Sequence, residues 1–123
     1  MRKKKNTESD SAGELAKYIS ELILQKKGED IKILNLKDIT SVSDYFVICS
    51  ASSDVQVKAI ADFIITETKK LNHKPWHSEG YTNLSWILID FVDVVVHIFL
   101  EGSRRFYNLE GLWGDAEITE IKD

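Results

Sequence analysis

Asp90, Asp93 and His97 stand within eight residues of one another. Paired carboxylates can hold a divalent ion against a phosphate, the arrangement that nucleotidyl transfer uses. Strand residues three apart point to opposite faces, so Asp90 and Asp93 could reach one ion only through a turn. One carboxylate on a sheet face and one in a turn is the simpler expectation. Ser50-Ala51-Ser52-Ser53 could cradle a phosphate at the start of a following helix, but such a run is more often just an N-cap. Cys49 lies in an apolar run with no base placed beside it, and reads as an inert core thiol. His73-x-x-x-His77 has a metal-ligand spacing that works on a helix, yet Pro75 between them rules the helix out. Arg104 and Arg105 near Tyr107 could fork onto a phosphate or a carboxylate; we read them as solvated at a helix start. No glycine-rich phosphate loop is present, and neither a cofactor nor a metal is expected.

The elements that position these groups follow from the apolar pattern. Residues 1–10 are polar and basic and are expected to be flexible. Ser11 stands three before Glu14, the capping-box spacing. Leu15, Ile19, Leu22 and Ile23 follow at helical intervals, which predicts a first helix from Ser11 to about Lys27, ending near Gly28. Ile31 to Leu36 reads as a strand, Asp38 to Asp44 as a connection, and Tyr45 to Ser50 as a strand covered on both faces. Ser53 and Gln56 repeat the capping spacing and open a second helix, with Val57, Ile60, Ala61 and Ile64 facing a sheet. Pro75 to Glu79 is expected as a short edge strand. Leu84–Phe91 and Val94–Glu101 are too close for anything but a hairpin, and Ser103 to about Trp113 reads as a last helix. The order αββαβββα predicts an α/β (α+β) single domain over residues 11–114, followed by an acidic tail over 115–123.

The hairpin assigns its own faces. A loop of two residues, Val92-Asp93, or of four keeps one register, pairing Asp90 with Val95, Leu88 with His97 and Trp86 with Phe99. One face carries Ser85, Ile87, Ile89, Phe91, Val94, Val96, Ile98 and Leu100, apolar in seven of eight places, and must be the core beneath the helices. The other carries Trp86, Leu88, Asp90, Val95, His97 and Phe99. A solvated face would hold more Lys, Glu and Thr, and a plain core would not hold Asp90 and His97. Two readings stay open: a protein-docking face with aromatic anchors, or a face covered by another helix, with Asp90 and His97 satisfying each other.

The chain has 123 residues, 43% of them hydrophobic and 29% charged, enough for one core and one domain. Sixteen basic and twenty acidic residues leave a net charge of −4. A domain that docks on bare nucleic acid usually has a basic surface, because counterion release drives binding; direct DNA or RNA binding is not expected. The longest apolar run, Val94 to Leu100, is far short of the roughly 20 residues of a membrane span. One cysteine and no secretory segment point to the cytoplasm.

Ser43-Asp44-Tyr45-Phe46-Val47-Ile48 and Val57-Lys58-Ala59-Ile60-Ala61-Asp62 resemble the first half of the ribosomal silencing factor (RsfS, Iojap-like) family. Trp86-x-x-x-Asp90-x-x-Asp93-x-x-x-His97, then Arg105-x-Tyr107-x-Leu109-Glu110-x-Leu112-Trp113, resemble its second half. The resemblance implies a mixed five-stranded sheet of nucleotidyltransferase-like shape without a catalytic site. It also implies binding to the large ribosomal subunit through ribosomal protein L14, which blocks subunit association and represses translation when nutrients run short. Trp86, Asp90, Asp93 and His97 carry over as the partner surface, with Glu79 and Tyr107 beside them and Leu88 and Phe99 on the same face. A homodimer, often seen in this family, stays open, as do a nucleotide-binding domain using Asp90 and Asp93 and a self-pairing adaptor. The family usually has glycine at Val92; valine disfavours φ > 0, so a different or longer turn is expected there.

Overall fold

The computed structural model describes residues 10–123. The segment expected to be flexible and basic therefore lies, apart from Asp10, outside the described residues. Helix α1 spans Ser11–Gln25, and its N-cap is Asp10 rather than Ser11: the Asp10 carboxylate accepts from the Gly13 N–H at 3.0 Å. A carboxylate caps as well as a hydroxyl and adds charge against the helix dipole. The helix ends where Lys27 turns left-handed (φ 65°) and the Gly28 N–H returns to the Ile23 carbonyl at 2.9 Å.

Strand β1, Glu29–Asn35, leads through a connection to β2, Tyr45–Ala51. Helix α2, Asp54–Lys70, starts at Ser53, whose hydroxyl accepts from the Gln56 N–H at 3.2 Å. The Gln56 side chain goes to the Ser52 N–H and to the Lys27 carbonyl, tying this helix to the end of α1. Of these serines Ser53 is the cap, the Ser52 hydroxyl donates to the Gln56 side chain, and the Ser50 hydroxyl accepts from the Arg104 guanidinium. Strand β3, His77–Glu79, precedes the hairpin of β4, Trp86–Asp90, and β5, Val94–Leu100.

The helix expected over Ser103–Trp113 is two short ones, α3 at Ser103–Tyr107 and α4 at Leu109–Leu112. Asn108 breaks it in the left-handed region (φ 49°), where asparagine is among the best tolerated residues, and its side chain caps the Gly111 N–H. The residues read as an acidic tail include strand β6, Glu117–Ile121, so the sheet has six strands and not five. An edge strand with four of five residues exposed leaves no alternation to detect. The spatial order is β3-β4-β5-β2-β1-β6, with β2 and β5 parallel and every other pair antiparallel.

Helices α1 and α2 cover one sheet face. Ile19, Ile23, Ile60 and Ile64 meet Val47, Cys49, Ile87, Ile89, Val96 and Ile98 there, all shielded from solvent. The second face has its own core of Leu34, Leu36, Phe46, Ile48, Val95 and Phe99, roofed by Leu109, Trp113 and Ala116. Strand β2 is consequently buried on both sides, as its unbroken apolar run requires.

The β4–β5 register is the one derived from loop length: Trp86 opposite Phe99, Leu88 opposite His97, Asp90 opposite Val95. The turn itself differs from expectation. It is not lengthened; the Phe91 N–H closes a two-residue loop on the Val94 carbonyl at 2.8 Å, and Val92 takes φ 77°. Surrounding bonds hold this conformation. The Asp90 carboxylate accepts from the Val92 N–H at 2.7 Å. The Asp93 carbonyl accepts from the N–H groups of Asp44 and Tyr45 and from the Ser43 hydroxyl.

Candidate protein-docking surface

Strand alternation puts Trp86, Leu88 and Asp90 on the second sheet face, and the β3–β4 pairing adds Glu79 beside Leu88 and His77 beside Asp90. At one end the roof over this face stops, and a file of rings comes to the surface. The Trp86 indole stacks on Phe99 with centroids 4.9 Å apart, and Tyr107 from α3 lies 4.6 Å from the same indole. Phe106 meets Tyr107 edge-on at 5.1 Å. Phe106 is 81% exposed and Tyr107 47% exposed, while Trp86 and Leu88 are half-buried. Such exposure of adjacent aromatics on a regular element is unusual for a solvated surface.

His97 lies beneath. It is 3% exposed, and its Nδ1 accepts the Trp86 indole N–H at 3.1 Å. The Phe46 ring is 4.5 Å away, and the Nε2 atom has no partner among the described residues. Burial pushes the imidazole pKa down to about 3, so the ring is neutral at physiological pH. The Asp90–His97 pair, one of the two readings left open for this face, does not form, since Asp90 turns its carboxylate to the Val92 N–H.

Of the residues singled out by sequence, Trp86, Phe99, His97 and Tyr107 form one contact group, with Leu88, Asp90 and Glu79 on the same face. Phe99 is fully buried, so it and His97 support the surface from below. Glu79 is exposed and 2.6 Å from the His77 Nε2. Asp93 stands apart in the turn, near Asp44; burial, then the Asp93 charge, raise the Asp44 pKa. Asp90 and Asp93 are thus one face residue and one turn residue. Cys49 is fully buried, its thiol pushed up to about 12 by desolvation.

Sequence reasoning missed one residue and preferred the wrong reading of another. Phe106 could have been found from its place beside Tyr107 just after a strand. Arg104, expected to be solvated, is 7% exposed. Its Nη2 and Nε donate to the two Glu110 carboxylate oxygens at 2.9 and 3.3 Å, and its Nη1 to the Ser50 hydroxyl at 2.9 Å and the Asp30 carbonyl. The guanidinium is a fork onto an internal carboxylate. It fastens α3 to α4 and to the ends of β1 and β2, and so holds Tyr107 against Trp86. A cleft of about 580 Å³ opens beside it, lined in part by Glu29, Glu101 and Arg105. Among the described residues no helix is long and apolar enough to cross a membrane.

Comparison with known proteins concerns the chain as a whole. The family model described as "Ribosomal silencing factor during starvation" matches residues 9–123. The ribosomal silencing factor of Bacillus subtilis is 43% identical, with 78% of this chain and 81% of the relative covered. That of Halalkalibacterium halodurans is 39% identical over 89% of this chain and 93% of its own. A crystal structure of a Chromobacterium violaceum protein superposes with a TM-score of 0.81 at 31% identity, covering 91% of this chain and 93% of that one. More distant is a mouse protein named for mitochondrial assembly of the ribosomal large subunit, 29% identical over 75% of this chain and 42% of its own length.

Proposed function

The chain belongs to the ribosomal silencing factor family, and on that premise we propose that it docks on the large ribosomal subunit and represses translation. In this reading it contacts ribosomal protein L14, blocks association with the small subunit, and acts when nutrients are limiting. It works in the cytoplasm and by occupation of a surface, with no catalytic step of its own. The mouse relative named for large-subunit assembly supports the choice of subunit.

One observation carries the proposal: the half-exposed Trp86 indole, locked between Phe99 and Tyr107 at the end of a rigid sheet. Rigid aromatics of this kind anchor protein interfaces, because they bury much area while losing little freedom. Tyr107, Leu88, Asp90 and Glu79 surround the anchor, and Asp93 sits at the far end of the hairpin. His97 and Phe99 back it from below. The net charge of −4 steers the domain towards basic surfaces. A homodimer that hides this face would be an inactive store of the same factor.

Sucrose-gradient sedimentation of ribosomal subunits at association-permissive Mg²⁺ tests the proposal. The protein is expected to travel with the large subunit and to lower the 70S peak, while the Trp86→Ala variant stays at the top of the gradient. Unchanged 70S particles in the presence of the wild-type protein overturn the function; full binding by Trp86→Ala overturns the surface.

A further inference from the structure

We propose that His97 is a positioning residue for this surface, fixing the plane that the Trp86 indole presents without itself being touched by the partner; the inference rests on the docking role of the Trp86 face. Three observations carry it. The imidazole is 3% exposed, which leaves it out of reach of a docked protein. Its Nδ1 takes the indole N–H at 3.1 Å, across the β4–β5 hairpin. Its Nε2 has no hydrogen-bond partner among the described residues.

These facts belong together. An Nδ1 that accepts must be unprotonated, so the neutral ring carries its hydrogen on Nε2. That N–H is then buried and unpaired, a cost that a phenylalanine or leucine at position 97 would avoid. The face around it is apolar: Phe46 lies 4.5 Å from the imidazole, Phe99 6.3 Å, and Trp86 5.8 Å, centroid to centroid. What the imidazole supplies that an apolar side chain could not is the acceptor for the indole. Without it the Trp86 side chain keeps its stacking on Phe99 and Tyr107 but loses the bond that sets its rotation about χ2, which is otherwise broad for an aromatic ring. The two rings on the imidazole's flanks keep the acceptor in place.

Three substitutions separate this role from plain packing. In His97→Asn the side-chain oxygen can stand where Nδ1 does, whereas in His97→Gln the polar atoms stand where Nε2 does. His97→Phe keeps the ring and removes both nitrogens. The readouts are the hydrogen-exchange rate of the Trp86 indole N–H by NMR, assigned with Trp86→Phe, the thermal midpoint, and sedimentation with large subunits. His97→Phe is expected to fold, to lose indole protection, and to bind large subunits about tenfold more weakly, the size expected for one lost hydrogen bond. His97→Asn is expected to restore both protection and binding, and His97→Gln to restore neither. If His97→Phe does not fold, the Asn–Gln contrast decides alone. Wild-type binding by His97→Phe or His97→Gln, while Trp86→Ala binds poorly, overturns the positioning role. Wild-type binding by Trp86→Ala overturns instead the docking surface on which it stands.

Discussion

Arg104 and Glu110 meet through two hydrogen bonds that span the helix break at Asn108, and the Lys32 ammonium lies 3.5 Å from the same carboxylate. The pair explains how two helices of five and four residues, too short to be stable alone, hold a fixed place on the sheet. Burial alone would raise the Glu110 pKa, but the hydrogen bonds and charge of Arg104, with Lys32, keep it below the usual carboxylate range. Removing the carboxylate leaves a guanidinium 8% exposed with only the Ser50 hydroxyl, the Asp30 carbonyl and the largely exposed Asp30 carboxylate at 3.6 Å. Glu110→Ala is therefore expected to destabilise the domain by about 2–3 kcal/mol, as measured by urea denaturation. A loss within error of zero would show that the clamp is dispensable.

His97 makes stability depend on pH above the carboxylate range. Its pKa in the folded protein is about 3, against 6.5 for a free histidine. The unfolded chain thus takes up a proton below pH 6.5 that the folded chain refuses, and stability falls as pH drops from 6.5 towards 3. Between pH 7.5 and 5 the wild type should lose up to about 1.4 kcal/mol per pH unit below 6.5, the slope for one proton. His97→Phe should remove that component; His73 and His77 are present in both proteins and cancel. Parallel stability curves for the two proteins would show that His97 is not held neutral.

Val92 is a β-branched residue, 57% exposed, at φ 77°. The conformation favours glycine, and little packing is lost by truncating an exposed side chain. Val92→Gly is expected to stabilise the domain by about 1 kcal/mol, relief of strain outweighing the extra freedom glycine brings to the unfolded chain. Differential scanning calorimetry reads this as a raised midpoint; a lowered one would mean that the Asp90 and Asp93 bonds already remove the strain.

Phe106 is expected to extend the proposed docking surface beyond the residues read from the sequence. Its ring is 81% exposed, so Phe106→Ala should leave stability within about 0.5 kcal/mol of wild type. Binding to large subunits should nevertheless weaken, and the variant should sit between wild type and Trp86→Ala in a sedimentation assay. Binding equal to wild type would confine the surface to the sheet.

Much of the architecture could be read from residue order because local rules suffice for it. The alternation in Trp86–Asp90 and Val94–Leu100, with a loop of only two residues, admits one register, and the structure has that register. The apolar run of β2 announced a strand covered twice. The sixth strand was illegible for the opposite reason: β6 is an edge strand that buries almost nothing, and its pairing with β1 is made by backbone groups that every sequence carries.

The sequence by itself determined which side chains share the second sheet face, since the two-residue period of a strand does not depend on what packs above it. Only the tertiary structure decided what becomes of them there. Trp113 meets Phe46 edge-on and joins Leu109 and Ala116 in the cluster on this face, while Trp86, packed against the same cluster, stays only half-buried. The Arg104 clamp bends the chain at Asn108 so that Tyr107 meets the indole. His97, equal to Trp86 in pattern, therefore sinks while Trp86 surfaces, because burial is settled by contacts between segments distant in the chain, and those leave no period in the sequence.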